Sequence, residues 1–308
     1  SSNQPRAGPT YILDEKVGGA PIVVIWLSMG AIFFTVYMGC FNVSGSRHAI
    51  DVVRGKYDNP DEPGEVTHFQ ALASALSATV GLGNIAGVTI AMTAGGPGAF
   101  FWMLVCGVLG MSSKFVECTL GQKYRQVKPD GSILGGPMQY LDVGLRELGF
   151  GPIGKVLAIV FAIMCILASF GGGNMFQAWN VGKVTQQNFG VPELATGIVL
   201  AVICALVIIG GIKRIGAVAG KLVPAMCGIY LVASLYVIFI NLNMIPGLLR
   251  LIVSSAFNPT DAQGAFLGGT FGYAFLWGMK RALFSNEAGQ GSAPIAHSAA
   301  MTDEPVRE

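Results

Sequence analysis

Apolar residues in this chain occur in long blocks rather than at the 3.6-residue spacing of a helix with one wet face. Each block is close to the roughly 20 residues that a helix needs to cross the hydrocarbon core of a bilayer. The pattern predicts an all-α polytopic membrane protein. Its seven predicted spans lie at about 21–43, 69–93, 99–120, 152–170 with an extension to 187, 193–212, 215–242 and 263 onward.

The composition agrees with a lipid environment. Of 308 residues, 52% are apolar and only 12% are charged, about half the charge of an ordinary soluble domain. The net charge of +2 is spread between the blocks, so no basic face for nucleic acid is predicted. The six cysteines and three histidines are isolated, and the spans contain no arrangement typical of a catalytic site. We therefore predict neither a metal site nor an enzyme.

The distribution of Lys and Arg predicts the orientation. Twelve of them follow spans 1, 3 and 5, whereas four lie on the opposite side. By the positive-inside rule, loops 44–67, 121–151 and 213–221 are cytoplasmic and the N-terminus is outside the cell membrane. The polar tail 1–20 lacks the pattern of a signal peptide, so block 21–43 is expected to remain as a first helix.

The second span contains the stretch ATVGLGNIAG, residues 78–87. Glycine within a helix costs about 1 kcal/mol relative to alanine, so Gly81, Gly83 and Asn84 favour a local break. Unpaired backbone groups survive in a membrane only where they are buried in protein or line a cavity. The stretch therefore predicts an interruption that binds something polar. The alternative is a close helix-packing face formed by Gly83 and Gly87.

The seventh span is also unusual. Forty-one residues separate Asp261 from Asp303, too many for one crossing, and they include Lys280, Arg281 and Glu287. These charges either face a cavity or lie at the cytoplasmic boundary. Transporters often contain two inverted repeats, each with a discontinuous helix. We therefore predict a cytoplasmic linker 44–67, a first repeat 68–242, an interfacial segment 243–262 and the first helix of a second repeat, 263–308.

The fourth span contributes a polar cluster, SFGGGNMFQ at residues 169–177. Asn174 and Gln177 are three residues apart and would share one face of an α-helix. They could line the same site or simply bond neighbouring helices.

These stretches resemble the alanine/glycine:cation symporter family, also called sodium:alanine symporters. The resemblance is carried by residues 68–103, by GGPMQYL at 135–141, by residues 169–181 and by residues 278–308. It implies a leucine-transporter-like fold with one extra helix before ten core helices. It also implies uptake of a small neutral amino acid, alanine or glycine, with Na+ or H+ and without a cofactor. Because the family continues for four more helices, the chain is expected to be an N-terminal fragment that does not transport alone.

The resemblance also implies site residues. Backbone near Gly81 would bind the substrate carboxylate, and Phe275 or Trp277 would limit the size of its side chain. Leu82, Ala282 and Gln290 depart from the residues common in the family, which leaves the preferred substrate open. The implied substrate-binding set is Thr79, Gly81, Leu82, Gly83, Asn84, Phe170, Asn174, Gln177, Phe275, Trp277 and Gly278, and the implied cation-binding set is Thr79, Val80, Gly83 and Asn84. An ion channel whose filter uses backbone carbonyls, or another solute carrier, is the alternative function.

Overall fold

The computed structural model describes residues 16–17, 20–39, 41–257 and 273–308, and these are largely helical. Two short antiparallel hairpins pair β1 (Lys16–Val17) with β2 (Ala20–Pro21), and β3 (Gln126–Val127) with β4 (Ile133–Leu134). The α-helices are α1 (Ile22–Tyr37), α2 (Phe41–Ser44), α3 (Ser46–Val53), α4 (His68–Thr79), α5 (Leu82–Gly95), α6 (Gly98–Lys123), α7 (Pro137–Gln139), α8 (Leu145–Glu147), α9 (Gly151–Ala168), α10 (Phe176–Phe189), α11 (Glu193–Ile208), α12 (Gly211–Ile240), α13 (Ile245–Phe257), α14 (Tyr273–Asn286) and α15 (Ala293–His297).

Long apolar helices dominate the described part of the chain. Four helical stretches in it are long and apolar enough to cross a membrane: His68–Gly95, Gly98–Lys123, Gly151–Phe189 and Gly211–Ile240. Their Leu, Ile, Val and Phe side chains are largely exposed, which suits contact with lipid rather than water. The architecture fits the predicted polytopic membrane protein, whereas the number of crossings remains a prediction.

The second span is interrupted where the sequence predicts it. Helix α4 ends at Thr79 and helix α5 begins at Leu82, so Val80 and Gly81 are the non-helical residues between them. At its other end, α4 begins with a capping box. Thr67 Oγ1 accepts a hydrogen bond from the Gln70 N–H, and Gln70 Oε1 accepts one from the Thr67 N–H, both at 3.2 Å. The start of α4 is therefore fixed locally, and its end is free to bend.

The fourth span is one long helical stretch with a π-helical segment inside it. Helix α9 passes through π-helical residues Ser169–Met175 into α10, which ends at Phe189, close to the predicted extension to 187. A π-helix has wider turns than an α-helix. Residues three apart across this segment therefore need not share a face.

The seventh span is described only from Tyr273, and its predicted beginning, like residues 1–15, lies outside the described residues. Helix α14 ends at Asn286, and residues 287–292 form a turn before α15. Three residues of this turn have positive φ angles: Glu287 (51°), Gly289 (82°) and Gly291 (78°). A left-handed conformation is common for glycine but unusual for glutamate, so Glu287 is held there by its surroundings.

Helices α14 and α15 lie alongside α6, and all three run in the same direction. A Cβ atom at Gly278 would lie 2.6 Å from the Ala99 carbonyl oxygen, and one at Gly121 would lie 2.8 Å from Pro294 Cβ. Glycine at each position permits this close approach. At one end of α6, Trp102 Nε1 donates a hydrogen bond of 3.0 Å to the Ala256 carbonyl of α13. Helix α6 thus forms a common support for α13, α14 and α15.

Candidate functional site

The interruption between α4 and α5 leaves one donor and one acceptor open. The Val80 N–H donates to the Leu76 carbonyl at 2.7 Å and ends α4, and the Gly81 carbonyl accepts from the Asn84 and Ile85 N–H groups and starts α5. Among the residues that the structure describes, none pairs with the Gly81 N–H or with the Val80 carbonyl. Both residues are partly exposed. The donor and the acceptor of this one peptide bond, which point in opposite directions, are therefore both available to a ligand.

Thr79 and Asn84 brace the interruption. Asn84 Nδ2 donates to the Thr79 carbonyl at 2.8 Å, spanning the two non-helical residues, and Thr79 Oγ1 donates to the Ala75 carbonyl at 3.1 Å. The Thr79 carbonyl is thus already engaged. Both side chains hold the shape of the break, and the expected contact of each with ligand remains a prediction.

Gln177 is the side chain of the fourth span that reaches the break. A Cβ atom at Gly81 would lie 3.6 Å from Gln177 Nε2 and 3.9 Å from Oε1, so the amide faces Gly81. Asn174 and Phe170 are exposed. Asn174 lies in the π-helical segment and Gln177 in the following α-helix, so their sharing of one face remains a prediction.

Gly83 packs closely against α14. A Cβ atom at Gly83 would lie 3.4 Å from Ser285 Cα and 3.8 Å from Phe284 Cδ1. A Cβ atom at Gly87 would meet only Leu82 of its own helix within 4 Å. The alternative of a packing face therefore holds for Gly83, two residues beyond the break, and not for Gly87. Sequence reasoning missed Ser285 and Phe284 as neighbours of this segment, because neither stands out locally.

Phe275, Trp277 and Gly278 belong to the packing between α14 and α6. The Phe275 ring meets the Trp102 ring edge to face, with centroids 5.0 Å apart, and Gly278 lies against α6. The Trp277 ring lies below Arg281, whose guanidinium carbon is 5.7 Å from the ring centroid. A direct contact of these residues with substrate remains a prediction.

Several charged atoms are buried inside these helices. Lys114 Nζ and Glu117 Oε2 on α6, and Arg281 Nε on α14, are buried and have no hydrogen-bond partner within the described part of the chain. Glu287 accepts a hydrogen bond from the Ser292 hydroxyl. Lys114, one of the twelve basic residues assigned from the sequence to the cytoplasmic side, lies within α6. An ionisable residue inside an apolar helix is a usable sequence signal, and it could have flagged Lys114 and Glu117.

Comparison with known proteins places this sequence in a family. The family model described as "Sodium:alanine symporter family" matches residues 11–308. "Sodium/alanine symporter AgcS" of Methanococcus maripaludis is 44% identical over 296 residues, which cover 96% of this chain and 64% of that protein. Two proteins of Bacillus subtilis also match, the "Amino-acid carrier protein AlsT" and the "Probable sodium/glutamine symporter GlnT". AlsT is 37% identical over 278 residues (90% of this chain, 56% of AlsT), and GlnT is 36% identical over 298 residues (96% of this chain, 59% of GlnT).

The chain thus spans about three fifths of the length of these relatives. Their names describe transporters rather than enzymes. The match of the family model to nearly the whole chain shows that this chain belongs to the sodium:alanine symporter family.

Proposed function

We propose that the full-length protein carrying this chain is a secondary active transporter that takes up a small neutral amino acid together with Na+ or H+. Alanine and glycine are the proposed substrates, and Na+ is the first choice of coupling ion. The observation that carries the proposal is the unpaired peptide bond between Val80 and Gly81 at the helix break, which offers an N–H on one side and a carbonyl on the other. A zwitterion and a cation together require both a donor and an acceptor at one place.

The donor side of the break suits a carboxylate. Gly81 precedes α5, a helix of 14 residues whose first N–H groups and dipole present partial positive charge. The Gln177 amide faces the same point and offers both a donor and an acceptor. We therefore assign the substrate carboxylate to the backbone at Gly81–Gly83, with Gln177 as its side-chain neighbour.

The acceptor side suits a cation. Val80 offers a free carbonyl oxygen, which is the ligand type that hard cations prefer. Thr79, Gly83 and Asn84 complete the proposed cation site, once Asn84 releases the Thr79 carbonyl. Leu82, Phe170, Asn174, Phe275, Trp277 and Gly278 complete the proposed substrate site.

The coupling ion supplies the driving force. A zwitterion has no net charge, so the membrane potential acts on the ion. One charge moving through 100 mV supplies about 2.3 kcal/mol, enough for roughly 50-fold accumulation.

We further propose the layout predicted from the sequence for the full-length protein in the cell membrane. The N-terminus is outside, segments 44–67, 121–151 and 213–221 are cytoplasmic, and 68–242 forms the first of two inverted repeats of a leucine-transporter-like fold. The interruption at Val80–Gly81 supports this layout, because discontinuous first helices are typical of such repeats.

Uptake of labelled alanine into proteoliposomes that contain the full-length protein tests the proposal. We expect an inward Na+ gradient, or a proton gradient, to drive accumulation, and internal unlabelled alanine to accelerate exchange. Gln177→Leu should reduce uptake about tenfold or more, because an amide that pairs with a charged group contributes roughly 1.5–3 kcal/mol. Gln187→Leu, a matched change at an exposed position of α10, should have little effect.

Uptake that is indifferent to both gradients would remove the symport proposal. Ion flux without amino acid and without exchange would instead indicate a channel.

A further inference from the structure

Three titratable side chains form a buried cluster at the end of α4 opposite the break. His68 Nδ1 is hydrogen-bonded to Glu308 Oε2, and His297 Nδ1 lies 2.6 Å from Glu308 Oε1. The side chains of His68, His297 and Glu308 are 1%, 11% and 3% exposed. One carboxylate is therefore shared by two imidazoles from widely separated parts of the chain.

Hydrogen bonds from neighbouring residues fix the surroundings of this cluster. The Arg125 guanidinium donates to four carbonyl oxygens, and Gln122 Nε2 donates to the His297 carbonyl. Backbone bonds join the same two segments, because the Val66 carbonyl accepts from the Met301 N–H at 2.9 Å. The four carbonyls bound by Arg125 are those of Pro63, Ser298, Ala300 and Thr302.

The cluster connects the two unusual helical regions. His68 is the first residue of α4, whose 12 residues form a rod about 18 Å long that ends at the break. His297 is the last residue of α15, the five-residue helix that directly follows the turn at 287–292. Because the peptide bond between Val80 and Gly81 takes part in no hydrogen bond within the described residues, a pivot of the rod at the break would require the cluster at its other end to release it.

We propose that His68, His297 and Glu308 form a clasp that holds α4 against the segment following α15. The clasp opens when the proposed substrate site at the break becomes accessible from the side of the membrane on which the clasp lies. The clasp is a property of the fold, and its role in accessibility rests on the proposed transport function.

The chemistry of the clasp suits repeated opening. Three polar side chains regain hydration when they separate, which offsets much of the lost attraction between them. His68 Nε2 is buried without a partner among the described residues and would gain one from water. A contact of the same area between apolar side chains would gain no favourable hydration when it opens.

Hydrogen–deuterium exchange of the full-length protein in lipid nanodiscs tests the clasp. Glu308→Gln removes the shared charge, and we expect the amides of α4 to exchange about tenfold faster or more, while those of α9 stay unchanged. Glu304→Gln is the matched control, because Glu304 carries the same charge on the same segment but is exposed and pairs with Arg307. Unchanged exchange in α4 would overturn the clasp.

A milder variant covers the case in which Glu308→Gln loosens the whole protein. His68→Asn keeps a donor near the Nδ1 position but cannot carry a charge. We expect a smaller rise in exchange that is confined to α4. If exchange in His68→Asn rises equally in α4 and α9, or not at all, the clasp is wrong.

Alanine exchange in proteoliposomes separates the two proposals. If the wild type does not transport and Glu308→Gln still loosens α4, the clasp stands and the proposed function fails. If the wild type transports and α4 is unaffected by Glu308→Gln, the clasp alone fails. If the wild type transports alanine and Glu308→Gln loosens α4, we expect Glu308→Gln to change the apparent KM for alanine more than Glu304→Gln does.

Discussion

The two ends of helix α4 differ in how fully their polar groups are paired. At the break, the Gly81 N–H and the Val80 carbonyl have no partner among the described residues and are partly exposed. At the clasp, the Arg125 guanidinium pairs with four carbonyls and one buried carboxylate pairs with two imidazoles, and His68 Nε2 is the buried side-chain atom of these three clasp residues without a partner in the described part of the chain. Unpaired backbone groups in an apolar setting are costly unless they line a cavity or bind a ligand. The comparison indicates that α4 is held at its first residue, whereas the peptide bond just beyond its last residue is left unpaired.

The clasp end should be the more sensitive to loss of one side chain. Arg125→Met keeps much of the apolar stem but leaves four carbonyls without their donor. We expect a loss of about 3 kcal/mol or more in the free energy of unfolding. The midpoint of thermal unfolding of the full-length protein should fall by several degrees.

Arg146→Met is the control for this change. Arg146 lies in the same segment, 121–151, but its side chain is exposed and its pair with Asp142 spans one helical turn at 2.7 Å. Exposed pairs contribute roughly 0–1 kcal/mol. Equal shifts in the two variants would mean that Arg125 does not hold the clasp together.

The break should instead be sensitive to added volume. Gly81 has φ −159° and ψ −148°, an extended conformation that does not require glycine. Gly81→Val would direct a branched side chain toward Gln177 and cover the open N–H. We expect alanine uptake to fall about 100-fold, equivalent to roughly 2.7 kcal/mol, with little change in the unfolding midpoint.

Gly197→Val is the matched control, because a Cβ atom at Gly197 would have no neighbour within 4 Å. It should leave uptake near the wild-type rate. A Gly81→Val protein that transports normally would show that substrate does not approach this backbone.

The sequence predicted these two ends very unequally. The break at Val80–Gly81 could be predicted because glycine and asparagine weaken a helix through their local propensity alone. The clasp could not, since His68 and Glu308 are 240 positions apart and no periodic pattern links them. Gln177 was identified by residue type, but its meeting with Gly81 depends on how α10 packs. The π-helical segment that contains Asn174 was not predicted, because it has no clear sequence signature.

Acid should weaken the clasp without affecting the break. Burial by itself would raise the pKa of Glu308, but hydrogen bonds from His297 and His68 outweigh it and hold the pKa below its ordinary value of 4.5. A carboxylate with a lowered pKa stabilises the fold fully above its unfolded pKa, and this contribution is lost as the pH falls through the folded value. Asp58 and Arg307 also act on the cluster, and Arg125 acts on Glu308.

The difference in unfolding midpoint between the wild type and Glu308→Gln measures this contribution. We expect the difference to be largest between about pH 5 and about pH 6.5 and to shrink below about pH 4.5 as Glu308 gains a proton. It should also shrink above about pH 6.5, because burial lowers the pKa of His68 but Glu308 more than offsets this and raises it, and that contribution is lost as His68 loses its proton. A difference that persists unchanged into stronger acid would show that the charge of Glu308 does not contribute.

The smallest expected effect concerns Gly83, and it tests whether this residue contacts ligand or only packs α5 against α14. A Cβ atom there would lie 3.4 Å from Ser285 Cα, an ordinary van der Waals distance, and alanine is favoured over glycine in a helix by about 1 kcal/mol. If Gly83 serves only to pack α5 against α14, Gly83→Ala should leave the KM for alanine within about twofold and raise the unfolding midpoint slightly. Gly87→Ala, on the same helix but without a cross-helix neighbour within 4 Å, should behave in the same way. A rise in KM for Gly83→Ala alone is what the proposed substrate and cation sites predict, because both include Gly83 and the added methyl group would compete with the ligand.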